Sequence, residues 1–87
     1  MVKKMVTVNA GNGIHARPAS LITNTATKFA ATVKIAFKDK IIDCKSIIGI
    51  LSLGATGGSE LELQAEGPDA QDALDAITTL FESNFGE

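Results

Sequence analysis

The chain has 87 residues, 45% of them hydrophobic, with four Phe and neither Trp nor Tyr; that is enough for one core but leaves no room for a second domain or an enclosed cofactor cavity, and too few aromatics for a base-stacking nucleic-acid platform. The formal net charge is −2, yet the first 45 residues carry all eight bases and two acids while residues 46–87 carry eight acids and no base; folding either mixes the halves or leaves a basic face attractive to a phosphorylated or acidic partner. A lone cysteine excludes an internal disulfide, and with no signal-peptide pattern and no apolar run of spanning length the expected setting is the cytoplasm, without membrane insertion.

The opening "VKKMVTV" sets Val2, Val6 and Val8 in phase with Lys4 breaking the pattern, which reads as a strand, and "NAGNG" at residues 9–13 reads as a loop. A helix is expected from near Ala16 through "ARPASLITNTATKFAA", where Ala19, Ile22, Ala26 and Phe29 or Ala30 recur at helical spacing. Pro18 is tolerated there because first-turn N–H groups have no intrahelical acceptor. His15 then falls at the N-cap or beside it. "TVKIAF" places Val33, Ile35 and Phe37 on one face, and "KIIDC" returns after a tight break at Lys38-Asp39, a pair that hairpin turns do not favour; Cys44 reads as a small residue of the returning strand.

In "KSIIGILSLGATGG", Ser46 can cap a short helix that Gly54 stops. Ile47, Ile48, Ile50, Leu51 and Leu53 encircle such a helix and cannot all point inward, so an exposed apolar patch suited to docking proteins is expected. Gly49 costs helix stability and signals close packing or mobility. "SELELQAE" is the clearest strand, with Leu61, Leu63 and Ala65 facing one way and Glu60, Glu62, Gln64 and Glu66 the other; Gly67 and Pro68 end it. In "DAQDALDAITTLFESNFGE", Asp69 stands as N-cap and Ala73, Leu74, Ile77, Leu80 and Phe81 form one stripe of an amphipathic helix. The order β-α-β-β-α-β-α describes an α+β domain over residues 1–87, a four-stranded, mainly antiparallel sheet with helices on one face.

His15 is the only histidine. At a helix N-terminus its ring lies beside backbone N–H groups and the positive end of the dipole, where a phosphoryl group is stabilised, and Arg17 can offer a planar fork to phosphate oxygens. Transient phosphoryl capture fits: a neutral ring nitrogen attacks phosphorus in line, amides and Arg17 hold the charge, and a second acceptor removes the group. No second histidine and no cluster of Cys or carboxylates supports a metal, so neither metal nor cofactor is expected. A Ser-His hydrolase lacks a nucleophile-elbow sequence, and a purely regulatory binding module acting through Ser46 is the other alternative.

"GIHARPAS" followed by "KSIIGILSLGA" resembles the histidine-containing phosphocarrier protein (HPr) family of the bacterial phosphoenolpyruvate-dependent sugar phosphotransferase system, over essentially the whole chain. The resemblance implies an open-faced β-sandwich. It matches His15 to the phosphorylated histidine that receives phosphate from Enzyme I and passes it to IIA components of sugar permeases, and Arg17 to the arginine that contacts the phosphoryl group. It matches Ser46 to the serine modified in many Gram-positive bacteria by an HPr kinase/phosphorylase, and Ile47, Ile48 and Leu51 to the surface that docks Enzyme I, that kinase and the transcription factor CcpA. Paralogues of the family serve nitrogen regulation or, without the histidine, catabolite repression. This sequence departs from the common pattern at Ile48 and Leu51, where Met is frequent, and at Lys38-Asp39, where Asn-Gly is usual.

Overall fold

The computed structural model describes residues 1–9 and 13–86, so the middle of the loop read at residues 9–13 lies outside the described residues. Its elements are β1 (Val2–Thr7), α1 (Ala16–Ala26), β2 (Thr32–Phe37), β3 (Lys40–Asp43), α2 (Ile47–Leu51), β4 (Glu60–Glu66) and α3 (Ala70–Glu82), then a short turn at Asn84–Gly86. The strands form one antiparallel sheet in the order β1-β4-β2-β3. The expected α+β, open-faced arrangement is therefore present, with helices packed on one face. None of the described helices is long and apolar enough to cross a membrane.

The alternation along β4 determines this arrangement. Leu61, Leu63 and Ala65 are fully buried, and the register sets Val6 opposite Leu61, Ile35 opposite Leu63 and Val33 opposite Ala65. Ile22 and Ala26 of α1 and Ala73, Leu74, Ile77 and Phe81 of α3 close over that face. Each large side chain so buried contributes about 1.5–3 kcal/mol. Lys4, which breaks the pattern of β1, stands opposite Leu63 on an edge strand and stays exposed, at the rim of the cover that α3 provides. On the other face, Lys3 and Lys34 flank Gln64 from either side, within the row of Glu60, Glu62 and Glu66. The basic and acidic halves of the chain are interleaved there, because the last strand inserts between two early ones.

Three local expectations change. Helix α1 stops at Ala26, short of Phe29 and Ala30, with Thr27 as C-cap. The reason is that the N–H groups of Ala30 and Ala31 donate to the Asp69 carboxylate, at 3.0 and 2.7 Å, instead of continuing a helical ladder. Asp69 accordingly makes no side-chain cap bond to α3, although its main-chain carbonyl accepts from Ala73. Cys44 lies one residue beyond β3, yet its N–H donates to the Val33 carbonyl at 2.8 Å and its carbonyl accepts from Thr23 Oγ1 at 2.9 Å. At the hairpin, Lys38 takes a left-handed φ of 56° and sets its ammonium 5.2 Å from the centre of the Phe37 ring, a contact that opposes the cost of the turn.

Two measurements follow from these contacts. The amides of Ala30 and Ala31, with Lys45 nearby, hold the Asp69 carboxyl below its usual range. A depressed folded pKa stabilises the fold above the unfolded value, about 3.9, and that contribution disappears as pH falls through the folded pKa. Asp69→Ala should therefore lower the urea midpoint at pH 7, and the gap from the unaltered protein should close on acidification; an equal gap at pH 7 and pH 2 would refute the charge-assisted bond. Burial, with the Asp43 charge beside it, pushes the Cys44 thiol up to about 12. Native protein at pH 8 should thus be alkylated by iodoacetamide on the order of a thousandfold more slowly than protein in denaturant.

Candidate functional site

The segment entering α1 is set by close backbone contact. Gly13 has a φ of 72°, and a Cβ there would collide with the Ala55 carbonyl oxygen and meet Thr56 Cα at 2.9 Å. The Ile14 N–H donates to that same Ala55 carbonyl at 3.3 Å. His15 follows as the N-cap in extended backbone, φ −105° and ψ −168°, and its carbonyl accepts the first helical bond, from Ala19 at 3.0 Å. The half-buried ring makes no side-chain cap bond to the helix.

That turn suits an anion. The N–H groups of Ala16 and Arg17 have no intrahelical acceptor, Pro18 supplies no N–H, and no acidic side chain occupies the first turn to compete for the dipole. The Arg17 guanidinium donates through Nη1 to the main-chain carbonyl of Phe85 at 3.0 Å, bringing the C-terminal turn beside the helix that carries His15. The structure thus places His15 and Arg17 together at one helix end. Among the described residues no group of three or more His, Cys, Asp or Glu could hold a metal ion. A groove on the open sheet face, lined by Thr32, Lys34, Gln64 and Glu66 among others, lies across the sheet from α1 and has no part in this arrangement.

Ser46 caps α2, with its Oγ accepting the Gly49 N–H at 3.0 Å. Gly49 is there for close packing, since a Cβ would lie 3.2 Å from Ser46 Oγ and 3.4 Å from Ile42 Cβ. Of the five apolar residues in this segment, Ile50 and Leu53 are buried, whereas Ile48 is 80% exposed and Ile47 and Leu51 about 40%. The apolar patch therefore exists, and these three residues form it. Helix α1 packs against α2, and the bond from Thr23 to the Cys44 carbonyl ties the helix of His15 to the chain just before Ser46.

The residue that sequence reasoning missed is Phe85. Its ring is 2% exposed and meets Phe81 edge-on, with centroids 5.0 Å apart. A Phe just past an amphipathic stripe is a signal that the chain end folds back, but nothing in its side chain announces a carbonyl aimed at Arg17.

Comparison with known proteins finds a match to the family model described as "PTS HPr component phosphorylation site" over residues 2–83. The chain is 44% identical over 87 residues, all of it and 99% of the relative, to the phosphocarrier protein HPr of Treponema pallidum (strain Nichols). It is also similar to the crystal structure of HPr-C-His from Thermoanaerobacter tengcongensis, with a TM-score of 0.95, 40% identity and coverage of 100% of this chain and 98% of that one. For the HPr structure from Bacillus anthracis str. Ames the TM-score is 0.86 at 40% identity, covering 92% and 95% of the two chains.

Gly13→Ala tests the entry into the site. A side chain at that φ, pressed on Ala55, should cost about 2 kcal/mol and shift the ring resonances of His15; unchanged stability and an unchanged His15 spectrum would mean that the backbone contact does not hold the site.

Proposed function

Because the chain belongs to the HPr phosphocarrier family of the phosphotransferase system, we propose that His15 accepts a phosphoryl group from Enzyme I and passes it to IIA components of sugar permeases, in the cytoplasm. One observation carries the reading: the imidazole stands at the start of a helix whose first turn offers amides, one arginine and no acid. A neutral ring nitrogen attacks phosphorus in line, the N–P bond forms as the donor's bond to phosphorus breaks, and the charge meets the Ala16 and Arg17 amides and the Arg17 guanidinium. In the second step a nucleophile on the acceptor attacks the same phosphorus, the N–P bond breaks, and the imidazole returns neutral. Helix and arginine lie on the surface of one domain, accessible to both partners in turn. The protein is an intermediate in transfer, with no reaction it completes alone, and it needs no metal or cofactor.

Ser46 is the proposed regulatory site, modified by an HPr kinase/phosphorylase, and Ile47, Ile48 and Leu51 the docking patch for Enzyme I, that kinase and a CcpA-type regulator. The support is geometric. Ser46 is exposed at a helix N-cap where a phosphate oxygen can take over the bond from the Gly49 amide, so the helix persists while a dianion appears inside an apolar patch. A role in regulation alone is less favoured, because the family match is to a phosphorylation-site model and the curated relative is a phosphocarrier.

Incubation with phosphoenolpyruvate and catalytic Enzyme I should add one acid-labile phosphate by intact mass, and His15→Ala should abolish it while leaving the circular dichroism spectrum unchanged. Acid-labile phosphate persisting in that variant would remove His15 from the role.

A further inference from the structure

We propose that the open edge of β1, with the flank of α3 beside it, is a docking groove for an extended, basic segment of a partner protein, which joins the sheet as a further strand. β1 ends the sheet, with β4 on one side and no strand on the other. The register identifies its outward backbone. The Val8 N–H donates to the Ser59 carbonyl at 2.8 Å and the Val8 carbonyl accepts from Gly58 at 2.7 Å, so the polar groups of Val8 face the β4 side. Alternation in an antiparallel ladder turns those of Val6, Lys4 and Val2 the same way, and those of Lys3, Met5 and Thr7 toward the open edge. Their N–H and carbonyl groups form a row at the spacing of another extended chain. Lys3 and Lys4 discourage indiscriminate pairing at the start of the strand, but Met5 to Thr7 carry no charge.

A groove runs along that edge. Two clefts of about 500 and 320 Å³ lie between β1 and α3 and share Lys4, Thr78 and Glu82, so they form one trough beside the strand. Leu74 and Phe81 make its lining apolar where α3 meets the sheet. The buried Thr78 hydroxyl has no hydrogen-bond partner among the described residues, whereas the neighbouring Thr79 hydroxyl donates to the Asp75 carbonyl at 2.9 Å. The walls set the charge of the occupant. α3 presents exposed Asp75 and Glu82 to the trough, and the Asp75 carboxylate accepts from a neutral donor, Gln71 Nε2, at 2.8 Å. Lys4 projects from the helix-covered face of β1 and answers one of these carboxylates, while Lys3 projects from the open face. An incoming Lys or Arg meets the other. A second copy of this chain fits less well, because two-fold pairing of β1 with β1 sets the Asp75 and Glu82 flank of one α3 toward the same flank of the other, like charge against like. α2 and its apolar patch pack by β3, at the opposite edge of the sheet, so an occupant of the groove leaves them clear.

The test uses the unphosphorylated protein, so it is independent of the reading of His15. Amides of Met5 and Thr7 should exchange with solvent quickly in the free protein, and those of Lys4 and Val6 slowly; the opposite pattern would mean that the edge is not open. The probe is a short synthetic peptide alternating threonine and lysine, with a counterpart in which glutamate replaces lysine. Titration with the lysine peptide should shift the amide resonances of Lys3, Met5 and Thr7 and slow their exchange, and leave those of Ile47, Ile48 and Leu51 unmoved. Met5→Pro removes an outward N–H without touching the ladder to β4. The affinity should fall about tenfold in Met5→Pro, in the double variant Asp75→Lys with Glu82→Lys, and for the glutamate peptide. The double variant, altered only at exposed positions, carries the test if proline disturbs the strand. No shift by about 1 mM peptide, shifts confined to other elements, or equal binding of the two peptides overturns the proposal. Concentration-dependent dimers of the unaltered protein that Met5→Pro dissolves would give the edge to a second copy and overturn it as well.

Discussion

The constraint on which the rest of the structure depends is the burial of one face of β4. Its leucines and alanine must be covered on a strand whose other face is three glutamates and a glutamine, so the sheet can accept helices on one side only. Placing this late strand between β1 and β2 leaves α1 and α3 to fill the covered side. The bond between Arg17 and Phe85 shows that the N-terminal end of α1 lies at the C-terminal end of α3. The two dipoles thus oppose each other, a favourable pairing, and the site inherits both a helix start and the chain end from the same packing decision.

Long-range polar contacts then set where elements stop. The Asp69 carboxylate precedes α3 in sequence but terminates the region after α1, by taking the amides of Ala30 and Ala31. Thr23 performs a similar service for the stretch after β3, through the Cys44 carbonyl. Such bonds are individually worth little net, yet a buried or half-buried amide left unpaired is costly, so they decide boundaries that hydrophobic pattern leaves open. In this way α1, the helix that carries His15, is fastened at its start by Gly13 against Ala55, at its middle by Thr23, and just beyond its end by Asp69.

Much of this was legible in the sequence, for a physical reason. Period-2 alternation in β4 and the period-3.6 stripe of α3 are direct imprints of burial on one face, and Ser46 at a cap or five apolar residues around a two-turn helix can be read locally. The combination of His15, Arg17 and Pro18 at a helix start was likewise readable, because first-turn chemistry depends on neighbours in the chain. The early stop of α1 was not, since the competitor for its amides, Asp69, lies far along the chain. Nor was the Phe85 carbonyl, because a main-chain acceptor carries no residue identity and its direction depends on two positive φ values that no propensity scale assigns to Phe. Sequence patterns report what a side chain buries; they are silent about where a distant backbone points.

The proposed chemistry suits a site that is open to solvent. A group that must be taken from one protein and given to another cannot rest in a deep minimum at the carrier, since each 1.4 kcal/mol of extra holding slows release about tenfold. A metal or an enclosed pocket with several cationic side chains would hold a phosphoryl group too well. In the proposed chemistry the groups that meet the developing charge among the described residues are two amides at a helix start and one guanidinium on an exposed residue, where solvent weakens every electrostatic term.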